Sequence, residues 1–166
     1  MKIFLIGPMA AGKTAVGHRL ATLLKLRFFD TDALLQQEQG QTMVEIFNQN
    51  GEAYFRRLEG DLLAKITCQP NIVLATGGGS ILSLQSRNYL RCRGLVCYLR
   101  VGMEQQLTRL QNDNTRPTLI GQQRVKLLHK MQLQRQLFYK SIANISIDTD
   151  NKSPEHLAQQ LASLIE

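Results

Sequence analysis

The stretch Gly7–Thr14 reads GPMAAGKT and matches the phosphate-binding pattern G-x-x-x-x-G-K-[ST] at every fixed position. In this pattern consecutive backbone N–H groups surround a phosphate chain, the lysine reaches the β- and γ-phosphates, and the hydroxyl can ligate Mg²⁺. The apolar run 3–6 precedes the loop, and Val16, Leu20 and Leu24 follow it with the spacing of one helix face. Because a helix N-terminus attracts anions, this strand, loop and helix together predict a nucleotide-phosphate site.

The composition is that of one globular domain. The 166 residues are 43% hydrophobic and 20% charged, without an apolar run long enough to span a membrane. Directly after Met1 and Lys2 we expect a strand and not a signal peptide. The three cysteines follow no metal-ligand spacing, so we expect reduced thiols in a cytoplasmic protein, with Cys97 buried in an apolar run.

The chain is basic, with a formal net charge of +7 and a pI near 9.6. Two explanations compete: a face that binds nucleic-acid phosphates, and a cleft lined with arginine and lysine for anionic small molecules. The basic residues are dispersed, and the aromatic content is only 6%. Since no basic stretch is interleaved with aromatic residues for base stacking, we favour the cleft.

Strand-like and helix-like segments alternate along the chain, which predicts an α/β fold with a mainly parallel sheet. The expected strands are 2–6, 26–29, 72–75, 95–99 and 143–148. The expected helices are 13–24, 31–38, 42–49, 52–67, 83–92, 103–111, 122–139 and 154–165. Ser153 is the expected N-cap of the last helix, and Pro154 its first residue. Between these elements, residues 112–121 suit a mobile lid and residues 148–153 an edge of the ligand crevice.

Asp30 and Asp32 stand at the carboxyl end of the second predicted strand, beside the phosphate loop. One carboxylate could hold Mg²⁺ through water and the other a substrate hydroxyl, whereas a helix N-cap is the competing explanation. The phosphate loop one strand away favours the functional interpretation.

Other polar positions are ambiguous when taken singly. Gly77–Gly79 follow a predicted strand, and we favour close approach of the backbone to a ligand over a flexible turn. Arg56 could recognise a carboxylate or phosphate with both arms of its guanidinium, but an ion pair with Glu59 on the helix surface is the simpler explanation. Arg116 and Arg135, considered alone, read as solvated charges, and we assign the histidines no chemistry.

In this order the motifs closely resemble those of the shikimate kinases, and the resemblance runs almost end to end. Besides the phosphate loop, the chain resembles the family at a D-[ST]-D element (30–32), an F-R-x-x-E element (55–59), a glycine triplet (77–79), an R-P pair (116–117) and an R-x-P-L-Y element (135–139). Other phosphate-loop kinases share the first motif but not this series.

The resemblance implies a three-layer α/β/α fold with a five-stranded parallel sheet, of the P-loop NTPase type found in nucleoside monophosphate kinases. It implies a single kinase domain over 1–166, with a substrate-binding segment at about 31–60 and a lid at about 111–123. The implied reaction moves the γ-phosphate of ATP to the 3-hydroxyl of shikimate, in aromatic amino acid (chorismate) biosynthesis. We expect a cytoplasmic monomer that binds ATP, shikimate and one Mg²⁺ ion, with no nucleic-acid or membrane partner.

The same resemblance implies roles for individual residues. For ATP the implied residues are Gly7, Ala10, Ala11, Gly12, Lys13, Thr14, Ala15, Arg109, Arg116 and Lys152, the turn at Lys152 flanking adenine together with Arg109. For shikimate they are Asp32, Arg56, Gly77, Gly78, Gly79 and Arg135, the two arginines gripping the carboxylate. Thr14 and Asp30 would hold the metal. The implied catalytic residues are Lys13 at the phosphates, Asp32 as general base and Arg116 on the lid.

The sequence departs from the family pattern in places. Ala10 replaces a glycine inside the phosphate loop, and its methyl group is tolerable if the residue keeps a negative φ. Leu137 replaces the proline of R-x-P-L-Y, Gln36 replaces a glutamate and Thr118 a leucine. Every proposed charged contact to ATP or shikimate is retained.

Three other classes of protein remain as alternatives. A gluconate or nucleoside monophosphate kinase would need different acceptor-site residues. A non-catalytic nucleotide-binding protein would accommodate Ala10, although all the candidate catalytic side chains are present together. A nucleic-acid-dependent ATPase would use the +7 charge and predicts hydrolysis stimulated by DNA or RNA. A GTPase is disfavoured because the chain has no N-K-x-D motif.

Overall fold

Five parallel strands form one sheet in the computed structural model, which describes residues 1–111 and 123–166. The strand order across the sheet is β2-β3-β1-β4-β5, and every neighbouring pair is parallel. The strands are β1 (Lys2–Ile6), β2 (Arg27–Asp30), β3 (Ile72–Ala75), β4 (Leu95–Arg100) and β5 (Ile145–Asp148). The expected parallel α/β sheet is therefore confirmed.

Helices connect successive strands, as parallel pairing requires. They are α1 (Lys13–Leu24), α2 (Thr31–Gln39), α3 (Met43–Ile66), α4 (Leu84–Arg93), α5 (Met103–Leu110), α6 (Arg124–Ile142) and α7 (Pro154–Ile165), with a short 3-10 turn at Ser80–Leu82. Each of the seven helices in the described residues lies within a few residues of a predicted helix, α3 covering two of the eight predicted, but the 3-10 turn was not predicted. Most of the predicted lid, residues 112–122 with Arg116, lies outside the described residues.

The sheet is buried on both faces, which gives the three layers. Because successive strand residues point to opposite sides, Ile3, Leu5 and Cys97 pack under α1 and α7, while Phe4 and Ile6 pack under α3, α4 and α6. Burial raises the pKa of the Cys97 thiol to about 12. This cysteine is a core residue, as the sequence predicted.

Local sequence sets the helix ends. The Ser153 hydroxyl accepts a hydrogen bond from the His156 N–H at 3.2 Å, and Pro154 begins α7, both as expected. Within α3, Gly51 has φ 80° and ψ 175°, so two helical segments meet at a kink there. The predicted helices 42–49 and 52–67 correspond to these two segments.

The carboxyl ends of β1, β2 and β3 meet at one edge of the sheet and open into a crevice. The phosphate loop follows β1, Asp30 ends β2, and the glycine triplet follows β3. Thr76 links the ends of β3 and β1, since its N–H and its hydroxyl both donate to the Leu5 carbonyl oxygen, at 3.1 and 3.0 Å.

Within the described residues, no helix is long and apolar enough to cross a bilayer.

Gly94, between α4 and β4, leaves no room for a side chain. A Cβ atom there would lie 2.8 Å from the Lys2 carbonyl oxygen and 2.6 Å from a Phe4 ring carbon. We expect Gly94→Ala to lower the free energy of unfolding by about 1–3 kcal/mol, because neither the β1 backbone nor the buried ring can move aside freely. Urea titration measures this change.

The matched control is Gly60→Ala in α3, where a Cβ atom meets nothing within 4 Å. Alanine is the better helix former, so this variant should gain about 1 kcal/mol. Equal stability of the two variants would contradict the steric explanation.

Candidate active site

The phosphate loop is held in shape by its own glycines and lysine. Gly7 and Gly12 have φ of 149° and 92°, in the region that favours glycine. A Cβ atom on Gly7 would also lie 2.4 Å from the Leu99 carbonyl oxygen. The Lys13 ammonium donates to the carbonyl oxygens of Gly7 and Pro8 at 2.7 and 2.8 Å, so the charge lies over the loop.

Ala10 adopts a φ of 62°, so the condition of a negative φ is not met. The cause is contact with α5, which comes almost a hundred residues later. Gln106 donates to the Met9 carbonyl oxygen at 2.9 Å, and Arg109 donates to that of Ala10 at 2.8 Å. These bonds fix the peptides on both sides of Ala10 and hold a left-handed conformation that costs an alanine about 1–2 kcal/mol.

Thr14 and Asp30 place two oxygen ligands together beside the loop. The Thr14 hydroxyl donates to Asp30 Oδ2 at 2.6 Å. Asp30 Oδ1 accepts from the backbone N–H groups of Asp32 and Ala33 at 3.0 and 3.2 Å and so caps α2. The capping explanation and the metal explanation for Asp30 are therefore compatible, because each uses a different oxygen.

The donor set fits Mg²⁺. Among the described residues, no group of three or more His, Cys, Asp or Glu side chains could hold a metal ion. Mg²⁺ usually keeps several waters and takes one or two protein oxygens plus substrate phosphates. A hydroxyl and one carboxylate beside a phosphate loop supply that set.

Two cavities meet at the carboxyl edge of the sheet. The nucleotide-side cavity, about 240 Å³, is lined by the phosphate loop, Asp30 and Thr76. The acceptor cavity, about 330 Å³, is lined by Arg56, Arg135 and Gly79 among others. Asp32, Gly77 and Gly78 line both cavities.

Glu59 organises the wall of the acceptor cavity, and sequence reasoning missed its role. Its side chain is buried, with Oε1 2.8 Å from Arg56 Nη1 and Oε2 accepting from the Ser80 hydroxyl at 2.9 Å. Burial raises the pKa of the Glu59 carboxyl, and the Arg56 guanidinium partly offsets that rise. The predicted ion pair exists, but it lies in the cavity wall and not on an open helix surface.

The glycine triplet is closely packed. A Cβ atom on Gly77 would lie 2.7 Å from Glu59 Oε2, and one on Gly79 would lie 2.2 Å from Arg56 Nη2. The Gly77 N–H donates to the Thr31 hydroxyl oxygen at 2.9 Å. The absence of side chains therefore lets charged groups approach the backbone, which contradicts a simple flexible turn.

The remaining candidate residues fall at three places. Arg135 is buried in the acceptor cavity, with no hydrogen-bond partner for its Nε within the described part of the chain. The Thr149 carbonyl oxygen, just after β5, accepts from Arg109 Nη2 at 3.1 Å and from the backbone N–H of Lys152 at 3.3 Å. These two residues therefore lie together near the end of β5. Arg116 lies outside the described residues.

The strand order, the glycine loop before α1 and the two joined cavities define a small-molecule kinase of the P-loop class. The shikimate kinase family model matches residues 9–166. The chain is 40% identical over 165 residues to the shikimate kinase of Mannheimia succiniciproducens, covering 99% of this chain and 94% of that protein. This chain therefore belongs to the shikimate kinase family.

Solved structures agree with that membership. The shikimate kinase from Acinetobacter baumannii in complex with shikimate matches with a TM-score of 0.97 and 38% identity, over 99% of this chain and 92% of that one. The shikimate kinase from Bacteroides thetaiotaomicron matches with a TM-score of 0.91 and 29% identity, over 99% and 98% of the two chains. The expected three-layer P-loop fold is confirmed.

Replacing Ala10 by glycine should stabilise the protein. The left-handed conformation is strained for alanine and not for glycine, so we expect Ala10→Gly to raise the free energy of unfolding by about 0.5–1 kcal/mol. The matched control is Ala11→Gly, which removes a fully buried methyl group and should lower it by about 1–2 kcal/mol. Thermal and urea unfolding measure both; a loss of stability in Ala10→Gly would contradict the strain.

Two glutamates contact Arg56, and only the buried one should matter for stability. Glu59→Gln removes the charge that compensates Arg56 in the cavity wall, so we expect a loss of about 1–3 kcal/mol in the free energy of unfolding. Glu52 lies 3.6 Å from Arg56 Nε and its side chain is 61% exposed, so Glu52→Gln should change it by less than about 0.5 kcal/mol. Similar losses in both variants, measured by urea titration, would refute this distinction.

Proposed function

We propose that this chain transfers the γ-phosphate of ATP to the 3-hydroxyl of shikimate, giving shikimate 3-phosphate and ADP in aromatic amino acid (chorismate) biosynthesis. The observation that carries the proposal is the wall shared by the two cavities. Asp32, Gly77 and Gly78 line both of them. A phosphate on one side and a hydroxyl on the other would meet beside a carboxylate, the positioning that phosphoryl transfer needs.

On the nucleotide side, the loop backbone and Lys13 bind the phosphates. The loop N–H groups lie at the N-terminus of α1, where the helix dipole favours an anion. Arg109 and Lys152 meet at Thr149, and we assign them to the adenine end. The remaining proposed ATP contacts are Gly7, Ala10, Ala11, Gly12, Thr14 and Ala15.

On the acceptor side, two arginines recognise the carboxylate of shikimate. Arg56 is oriented by Glu59 and packs against Gly79, while Arg135 approaches from α6 with an Nε that has no hydrogen-bond partner among the described residues. A guanidinium binds a carboxylate with two parallel hydrogen bonds, which fixes the orientation of the ring. Gly77, Gly78 and Gly79 then lie beneath the ring.

Asp32 is the proposed general base, since a carboxylate at the shared wall can accept the proton of the attacking hydroxyl. Thr14 and Asp30 would hold Mg²⁺, which supplies neutralisation of phosphate charge when bound. From the family resemblance, Arg116 on a lid at about 111–123 is the proposed cation that closes over the transferring group and excludes water.

We also propose a single cytoplasmic domain over 1–166 that acts as a monomer, with residues 31–60 as the substrate-binding segment and without nucleic-acid or membrane partners. Size-exclusion chromatography with light scattering tests the monomer. ATP turnover that is unaffected by added DNA or RNA supports the absence of a nucleic-acid role.

The test of the function is coupled ADP release with Mg-ATP, with and without shikimate. We expect turnover that requires shikimate, disappears in Lys13→Ala and stops when EDTA removes the metal. Arg135→Ala should lower kcat/KM for shikimate roughly 30- to 4,000-fold, because a buried charge contact of about 2–5 kcal/mol is lost.

The matched control is Arg91→Ala, which removes an exposed arginine of α4 outside both cavities and should leave kcat/KM unchanged. Turnover with a different sugar acid or a nucleotide, and none with shikimate, would refute the acceptor assignment. ATP binding without any turnover would favour a non-catalytic protein instead.

A further inference from the structure

Tyr139 contacts the glycine triplet but is not among the residues that line the acceptor cavity. It lies on α6 one turn after Arg135, it is buried, and its hydroxyl donates to the Gly78 carbonyl oxygen. Its ring stacks on Tyr98 of β4, with centroids 5.0 Å apart and an interplanar angle of 22°. Burial raises the pKa of the Tyr139 phenol, so the hydroxyl keeps its proton and remains a donor.

In the Gly78–Gly79 peptide the carbonyl group accepts a hydrogen bond, whereas the N–H group makes none among the described residues. Within the residues that the structure describes, the N–H groups of Gly78 and Gly79 donate to no hydrogen bond. The peptide is trans and planar, so its C=O and N–H point in opposite directions. With the Gly78 oxygen directed at Tyr139, the Gly79 N–H points away from Tyr139, and Gly79 lines the acceptor cavity.

Neither residue of this peptide has a Cβ atom, so its own side chains do not restrict its orientation as they would between other residues. Its orientation therefore depends on its hydrogen-bond partner. Tyr139 is that partner for the Gly78 carbonyl oxygen. The Arg135 guanidinium lies close to the same peptide, 3.6 Å from the position that a Cβ atom on Gly78 would take.

We propose that Tyr139 is a positioning residue for the acceptor: its hydroxyl fixes the Gly78–Gly79 peptide so that the Gly79 N–H is presented to the acceptor as a hydrogen-bond donor. The inference rests on the proposed function for the identity of the acceptor. The orientation of the peptide itself is independent of it.

The kinetic test compares Tyr139→Phe with Tyr98→Phe. The first removes the hydroxyl that holds the peptide; the second removes the other hydroxyl of the stacked pair, for which the structure shows no hydrogen bond within the described residues. We expect Tyr139→Phe to raise the KM for shikimate about five- to tenfold, the size of one hydrogen bond. The KM for ATP should stay within twofold, and Tyr98→Phe should leave both constants unchanged.

A second measurement, by NMR, observes the amide groups of the glycine triplet directly. The only consecutive glycines are Gly77, Gly78 and Gly79. In protein labelled with [1-¹³C, ¹⁵N]glycine, only Gly78 and Gly79 therefore give a one-bond ¹³C′–¹⁵N signal among the twelve glycines. We expect Tyr139→Phe to shift the Gly79 amide signal, and Tyr98→Phe to leave it in place.

The outcomes separate the two proposals. If wild-type protein does not turn over shikimate, the proposed function fails, while the amide signal still tests the orientation of the peptide. An unchanged Gly79 signal in Tyr139→Phe overturns the inference. Equal rises in the KM for ATP and for shikimate also overturn it, because they indicate a general structural defect.

Discussion

The buried carboxylate of Glu59 is the contact on which the acceptor side depends. It joins α3 to the turn after β3 by pairing with Arg56 and accepting from Ser80. Taking a carboxylate out of water is costly unless it is paired and hydrogen-bonded, and here each oxygen has one partner. Because these contacts leave no space at Gly77 or Gly79, one buried charge determines both the position of the guanidinium and the absence of side chains beneath it.

The fold was largely predictable because its signals are local. The continuous apolar run of β1, the Ser153 cap and the glycine at residue 51 are each readable within a few positions. The 3-10 turn at Ser80–Leu82 was not predictable. Its three residues show no period, and its conformation depends on the contact of Ser80 with Glu59, twenty-one positions earlier.

The candidate site was predictable where a motif is contiguous and not where distant elements meet. The phosphate loop was identified from eight residues. The left-handed conformation of Ala10 was not predictable, because the residues that bond the peptides beside it, Gln106 and Arg109, lie on α5. Glu59 was assigned to a helix surface because nothing in the sequence of α3 reveals that the turn after β3 covers it.

The carboxylate of Asp30 is bonded to two helices at once. One oxygen of its carboxylate holds the first turn of α2, and the other receives the Thr14 hydroxyl at the start of α1. A carboxylate is rigid and planar, so a tilt that follows a shift of α2 must also move the oxygen bonded to Thr14. The carboxylate of Asp30 therefore couples α2, which begins the acceptor segment, to α1, which begins at the phosphate loop. A displacement of either helix is transmitted to the other through this side chain.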